Sequence, residues 1–170
     1  MLITRFAKIL ISLSLAIFCL LVALDNITDP AFNYEFVSHV MSMKTTFPGN
    51  RLMYRSVTNP VVWQITYALI ISTQAVCGFL LLTGALRMWQ ARGASAGDFH
   101  QAKTFAIAGS LLAFLLWFFV FMVIAGEWFA TWQSKAWNAQ QASFRFYITV
   151  LAVLIFLNQP DSELKERTLP

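Results

Sequence analysis

What this chain has least of is charge. Lys, Arg, Asp and Glu make up 12% of its 170 residues, against roughly a quarter in an ordinary soluble domain. Hydrophobic residues reach 58%, with 16 Phe and 6 Trp, and mean hydropathy is +0.64. A soluble fold of this composition would expose apolar area well beyond the few hundred Å² that a monomer tolerates. A soluble enzyme and a disordered tail are excluded. The net charge of +4 is scattered, and without a basic run of 5–8 residues a nucleic-acid partner is excluded too. Cysteine is equally sparse: Cys19 and Cys77 both lie inside apolar runs. They form no disulfide framework and read as small packing residues.

Four stretches are long and apolar enough to cross a hydrocarbon core, which takes about 20 helical residues: about 6–24, 60–86, 99–125 and 142–157. The expectation is one all-α domain over residues 1–170, an integral membrane four-helix bundle in a lipid bilayer. Lys8, near the start of the first span, is expected to snorkel to the headgroups. A basic start at Arg5 and Lys8 also suits a signal peptide. The apolar run from Ile9 to Leu24 is long for that, however, and it ends in a poor cleavage site, Val22-Ala23-Leu24-Asp25. An uncleaved anchor is expected.

Basic residues set the orientation. Arg5, Lys8, Arg87, Arg92, Lys103, Lys165 and Arg167 fall in one set of short flanks. Lys44, Arg51, Arg55, Lys135 and Arg145 are spread over the longer loops. Both termini are therefore expected to be cytoplasmic. Asn59-Pro60 reads as an N-cap with proline at the first helical position, and Asp98 with Gln101 as a capping box. In the first outer loop, Asp29-Pro30 followed by Phe32, Phe36, Val37, Val40 and Met41 predicts a short amphipathic helix to about Met43, then a turn at Phe47-Pro48-Gly49-Asn50. The second outer loop, from Gly126 to Gln141, holds Trp128, Trp132 and Trp137 and is expected to run as an interfacial helix. With Trp63 and Trp89, these indoles fit anchors at the membrane–water boundary.

Candidate chemistry is thin. No Asp, Glu, His, Lys or Arg occurs within 60–86 or 104–125, which weighs against a proton relay or ion pump. Gln64, Thr66, Ser72, Thr73, Gln74 and Cys77 suit interhelical hydrogen bonding, or less readily a polar solute path. Ala102, Ala106, Gly109 and Ala113 form a small-residue stripe, as do Ser12, Ala16, Cys19 and Ala23; both predict close helix packing. His39, Met41 and Met43 are soft-metal donor types, but His39 and Met43 share a helix face that Met41 does not, and two ligands are too few. No metal site or cofactor is expected. Glu127 and Arg145, at the outer edges of the third and fourth spans, are expected to form a structural ion pair. No phosphate loop, dinucleotide fingerprint or nucleophile elbow is present.

The segments Asp25-Asn26-Ile27-Thr28-Asp29-Pro30-Ala31-Phe32-Asn33-Tyr34, His39-Val40-Met41-Ser42-Met43, Thr45-Thr46-Phe47-Pro48-Gly49-Asn50, Gly126-Glu127-Trp128-Phe129, Trp132-Gln133-Ser134 and Trp137-Asn138 resemble a bacterial family of predicted small integral membrane proteins. The resemblance implies four spans in a bacterial inner membrane and no established activity or functional residues. The family pattern has an acidic residue after Met43 where this chain has Lys44, which weighs against a cation site. The expected role is a non-enzymatic accessory or interaction subunit, with a membrane-protein partner or a second copy of itself. The alternative is a component of a small-solute transport path along Gln64 and Gln74, and a membrane enzyme comes third.

Overall fold

The computed structural model describes residues 2–164. Among them every regular element is helical, with no strand. Helix α1 spans Leu2–Thr28, α2 Pro30–Ser42, α3 Pro60–Gln90, α4 Ala96–Ala102, α5 Thr104–Phe114 and α6 Gln140–Asn158. Helix α5 continues without a break into a π-helical stretch, Leu115–Trp128. Four helices are long and apolar enough to cross a membrane: Leu2–Thr28, Pro60–Gln90, Ala96–Trp128 and Gln140–Asn158. Each outruns the apolar stretch that foretold it, because helix geometry continues past the hydrocarbon boundary while polar backbone groups still need internal partners.

The long helices pack in the order α1, α3, α5, α6, and α6 returns to touch α1 only thinly. Small residues make the two central contacts. Gly84 lies so close to the Ala106 backbone that no Cβ fits between them, and a Cβ on Gly109 would stand 2.9 Å from Leu81 Cγ. Gly78 presses in the same way on Leu20 and on the Ala16 carbonyl. Ala106 and Ala113 are fully buried, Gly109 is buried and Ala102 is half-buried. On α1, Ser12, Ala16, Cys19 and Ala23 are all buried. Without water to drive association, such close approach is how membrane helices gain contact energy.

Three apolar clusters fill the interior. The middle one contains Leu15, Ala16, Cys19, Cys77, Leu81, Ala113, Trp117 and Val150. A second, at the end carrying both long loops, joins Val37, Val40, Met41 and Met43 of the first loop to Ala125, Phe129 and Ala130. The third, at the end carrying the termini, holds Ile9, Met88, Phe99, Ala106 and Leu157.

Local signals behave unevenly. The Asn59 side chain accepts from Val61 N at 2.9 Å, capping α3 ahead of Pro60. Helix α2 occupies Pro30–Ser42, and Gly49 takes φ 76° in the turn after it. The cap of α4 is not Asp98 with Gln101. Ser95 is the cap: its hydroxyl accepts from Asp98 N at 3.1 Å and donates to Asp98 Oδ2 at 2.7 Å. The second long loop is not an interfacial helix. Ala130 turns left-handed at φ 51°, one 3₁₀ turn follows at Thr131–Gln133, and side chains then capture the backbone. Ser134 Oγ accepts from Trp137 N at 3.0 Å, and Asn138 Oδ1 accepts from Gln140 N at 3.0 Å. Such local bonds offer the chain an alternative to helix.

Candidate functional site

Polar side chains concentrate at the two ends of the bundle. At the end with the termini, Lys8 turns inward rather than snorkelling outward. It is fully buried, as are Arg5 and Lys103. The Lys8 ammonium meets Asp161 Oδ1 at 2.9 Å, and that of Lys103 meets Asp161 Oδ2 at 2.7 Å. Both ammonium groups also donate to the Gln159 carbonyl, at 2.6 and 3.1 Å. Arg5 lies over the Phe99 ring at 4.8 Å and donates to the carbonyls of Arg92, Ala94 and Ser162 at 3.1, 2.6 and 3.3 Å. Burial by itself would raise the Asp161 pKa, but the hydrogen bonds from Lys103 and Lys8 outweigh it and hold the carboxyl below its usual range. One carboxylate thus ties α1, the junction of α4 and α5, and the segment after α6 together. The ammonium groups and the carboxylate are spent on one another, and of the Arg5 guanidinium only Nε is left buried without a partner. Lys165 and Arg167, counted toward the orientation, lie outside the described residues.

At the loop end the polar groups are neutral and surround a cavity of about 180 Å³. Asn26 of α1 donates to Gln74 Oε1 of α3 at 3.1 Å and to the Val22 carbonyl at 2.8 Å. Tyr67 donates to the Asn26 carbonyl at 2.7 Å. The remaining polar lining is Asn33 of α2 and Ser143 of α6, and the walls are aromatic: Phe36, Trp117, Phe121 and Phe146. Trp117 and Phe121 both come from the π-helical stretch. Such wide turns are rare and recur at functional sites. Four residues apart, the two large rings share one face of this stretch and both line the cavity.

Several hydrogen-bonding groups in this cavity are unspent. Gln74 is 3% exposed and Ser143 2%. Among the described residues no side-chain partner occurs for the Gln74 amide nitrogen, the Ser143 hydroxyl or the Asn33 amide, whereas Gln74 Oε1 and Tyr67 are engaged. These groups open onto the cavity, whereas the sealed side-chain atoms without a partner among the described residues are Arg5 Nε, Ser12 Oγ, Asn50 Nδ2 and Ser110 Oγ. Trp117 of the cavity wall also belongs to the middle cluster with Cys19, Cys77, Leu81 and Ala113, each between 0 and 4% exposed.

Other residues singled out from the sequence fall elsewhere. Glu127 and Arg145 do not pair. Glu127 Oε1 accepts from Gln140 Nε2 at 3.2 Å, because the irregular loop delivers Gln140 beside it and leaves Arg145 more than a turn further along α6. Gln64 is exposed, away from Gln74. His39 Nδ1 lies 2.9 Å from the Glu35 carbonyl, and its ring stacks on Trp137 at 4.6 Å. Met41 and Met43 are buried in the apolar cluster of the loop end. Among the described residues no group of three His, Cys, Asp or Glu side chains is placed to hold a metal. Trp63 donates to the Val57 carbonyl at 2.8 Å. Trp89, Trp128 and Trp132 are about half exposed, against Phe6, Arg55 and Phe47 respectively.

Sequence reading missed Asn26, Asn33, Tyr67 and Ser143 as a set, and missed Asp161. The signal for Asp161 was present: it stands just beyond the last span, at the end where Lys8 and Lys103 border theirs. For the cavity, the available signal was Asn26 and Gln74, amides inside or beside apolar runs that need partners in lipid.

Residues 4–160 match the family described as predicted small integral membrane protein (DUF2165), and the chain belongs to it. No curated protein and no solved structure matches. The protein is a multi-pass integral membrane protein.

Proposed function

We propose that this member of a family of small integral membrane proteins is a non-enzymatic accessory subunit of a bacterial inner membrane, with both termini cytoplasmic. It works through its loop end. The cavity there receives an uncharged hydrogen-bonding group with an apolar body, presented by a larger membrane partner. The observation that carries this reading is the set of unspent donors and acceptors on Gln74, Ser143 and Asn33 inside aromatic walls. A concave, mostly apolar site with a few convergent polar groups is the usual form of a binding pocket.

Two observations weigh against the other readings. A transport path needs an opening past Gln74, and the mid-bundle cluster of Cys19, Cys77, Leu81, Ala113 and Trp117 fills that position. An enzyme needs a nucleophile with a base or a bound metal, and the cavity lining has no Asp, Glu, His, Lys, Arg or Cys. The orientation is supported by the basic residues of the short flanks.

Co-purification in mild detergent tests the proposal. A larger partner should accompany the wild-type chain in fixed stoichiometry and be lost with Ser143→Phe, which fills the cavity. It should persist with Leu69→Ala, which changes only an exposed helix face. A chain that purifies alone, or a partner indifferent to Ser143→Phe, overturns the reading.

A further inference from the structure

Helices α1 and α6 touch so thinly that a second, lateral hollow opens between them. Its volume is about 430 Å³. Ile11, Leu15 and Phe18 line one side, and Phe146, Val150 and Val153 the other. The two hydroxyls in the groove are already used by their own helices. Ser14 donates to the Leu10 carbonyl at 2.8 Å, and Thr149 to the Arg145 carbonyl at 2.8 Å. What remains is a hydrocarbon slot with one cation at its head, Arg145.

Arg145 lies past the first turn of α6. It stands about 8 Å into α6 at 1.5 Å per residue. The adjacent Phe146 ring packs on Phe18 at 5.2 Å, and Phe18 is about 9 Å short of Leu24, where the apolar run of α1 ends. Arg145 is exposed at that depth. Among the described residues both salt bridges belong to Asp161, at the opposite end of the bundle. Glu127, the acid at the end of the preceding span, faces Gln140. An arginine within apolar surroundings keeps its charge and must find an anion.

We infer that the groove between α1 and α6 holds an anionic phospholipid. An acyl chain lies along Ile11, Leu15, Phe18, Val150 and Val153, and the phosphate is drawn down onto the Arg145 guanidinium. Charge complementarity favours this occupant over a purely apolar helix, which would leave the cation unanswered. The guanidinium fork suits phosphate oxygens, and a lipid of single negative charge neutralises it. Phe146 lines both this groove and the loop-end cavity, so the seated lipid would brace one of that cavity's walls. The lipid site stands whether or not the cavity binds a partner.

Native mass spectrometry of the full chain, exchanged into mixed micelles containing phosphatidylglycerol or phosphatidylcholine, tests the inference. One phosphatidylglycerol per chain should be retained in preference to phosphatidylcholine. Arg145→Gln should weaken that retention about tenfold, which corresponds to roughly 1.4 kcal/mol, and Arg145→Lys should weaken it less. Ser14→Phe, which fills the slot and keeps Arg145, should abolish retention of both lipids; Val153→Trp fills it from the other helix should Ser14→Phe misfold. Equal retention by wild type and Arg145→Gln overturns the site. A dimer that Arg145→Gln dissociates, with no lipid bound, also overturns it and makes a second copy the occupant.

Discussion

The two ends of the bundle solve the burial of polar groups in opposite ways. The end with the termini buries full charges and answers each of them: Lys8 and Lys103 share Asp161, and Arg5 donates to backbone carbonyls, with its Nε left over. The loop end buries neutral amides and hydroxyls and leaves some of them facing a cavity. The difference follows from cost. A fully buried charge is too expensive to keep unpaired in reserve for a ligand, unlike the exposed Arg145, whereas a buried amide or hydroxyl can wait at a cost of about 1–3 kcal/mol. The charged end therefore reads as structure, and the neutral end as the place where something binds.

The largest effect is expected from breaking the charged end. Asp161→Asn strands two buried ammonium groups and should cost about 3–5 kcal/mol, the usual loss when one partner of a buried pair is removed. Thermal unfolding in detergent measures it. Removing charge from both sides, as in Lys8→Met with Asp161→Asn, should cost less than the sum of the single changes; additive losses would mean that the two groups are not coupled.

Acid sharpens the same comparison. The Asp161 carboxyl is held below its ordinary value in the folded chain. Its contribution is therefore complete above the unfolded value of about 3.9 and is lost as pH falls through the lower folded value. Hydrogen exchange followed downward from pH 5 should show residues 92–103 opening before residues 26–37. Simultaneous opening would remove the distinction between the two ends.

A smaller loss is expected at the neutral end. Gln74→Leu removes the acceptor for Asn26 and should cost roughly 0.6–2 kcal/mol, the range for interhelical hydrogen bonds in membranes. A loss comparable with that of Asp161→Asn would show the amide pair to be a structural clamp rather than the lining of a site. The smallest effect belongs to Glu127→Gln. Its hydrogen bond to Gln140 is exposed, so stability should change by less than about 0.5 kcal/mol, and the change should add to that of Arg145→Gln. Coupling between the two would restore the ion pair that the structure does not contain.

The sequence by itself determined the class of protein and its helices. Period and length marked the four spans, because lipid forces every backbone group into helix. Asn59-Pro60 marked one helix start through a side-chain cap, and Pro30 marked another through its place in the first turn, without a cap from Asp29. Small-residue stripes on α1 and α5 announced close packing, though not which helix would answer them. What only the tertiary structure decided was every pairing between distant residues. Lys8 and Asp161 are separated by 153 positions and Asn26 and Gln74 by 48, and no local spacing records such meetings. The choice of Gln140 rather than Arg145 for Glu127 rested on a loop that Ala130, Ser134 and Asn138 turned away from helix. The cavity and the groove exist because α6 returns beside α1 without closing on it, a consequence of how four helices fill space and not of any one segment's composition.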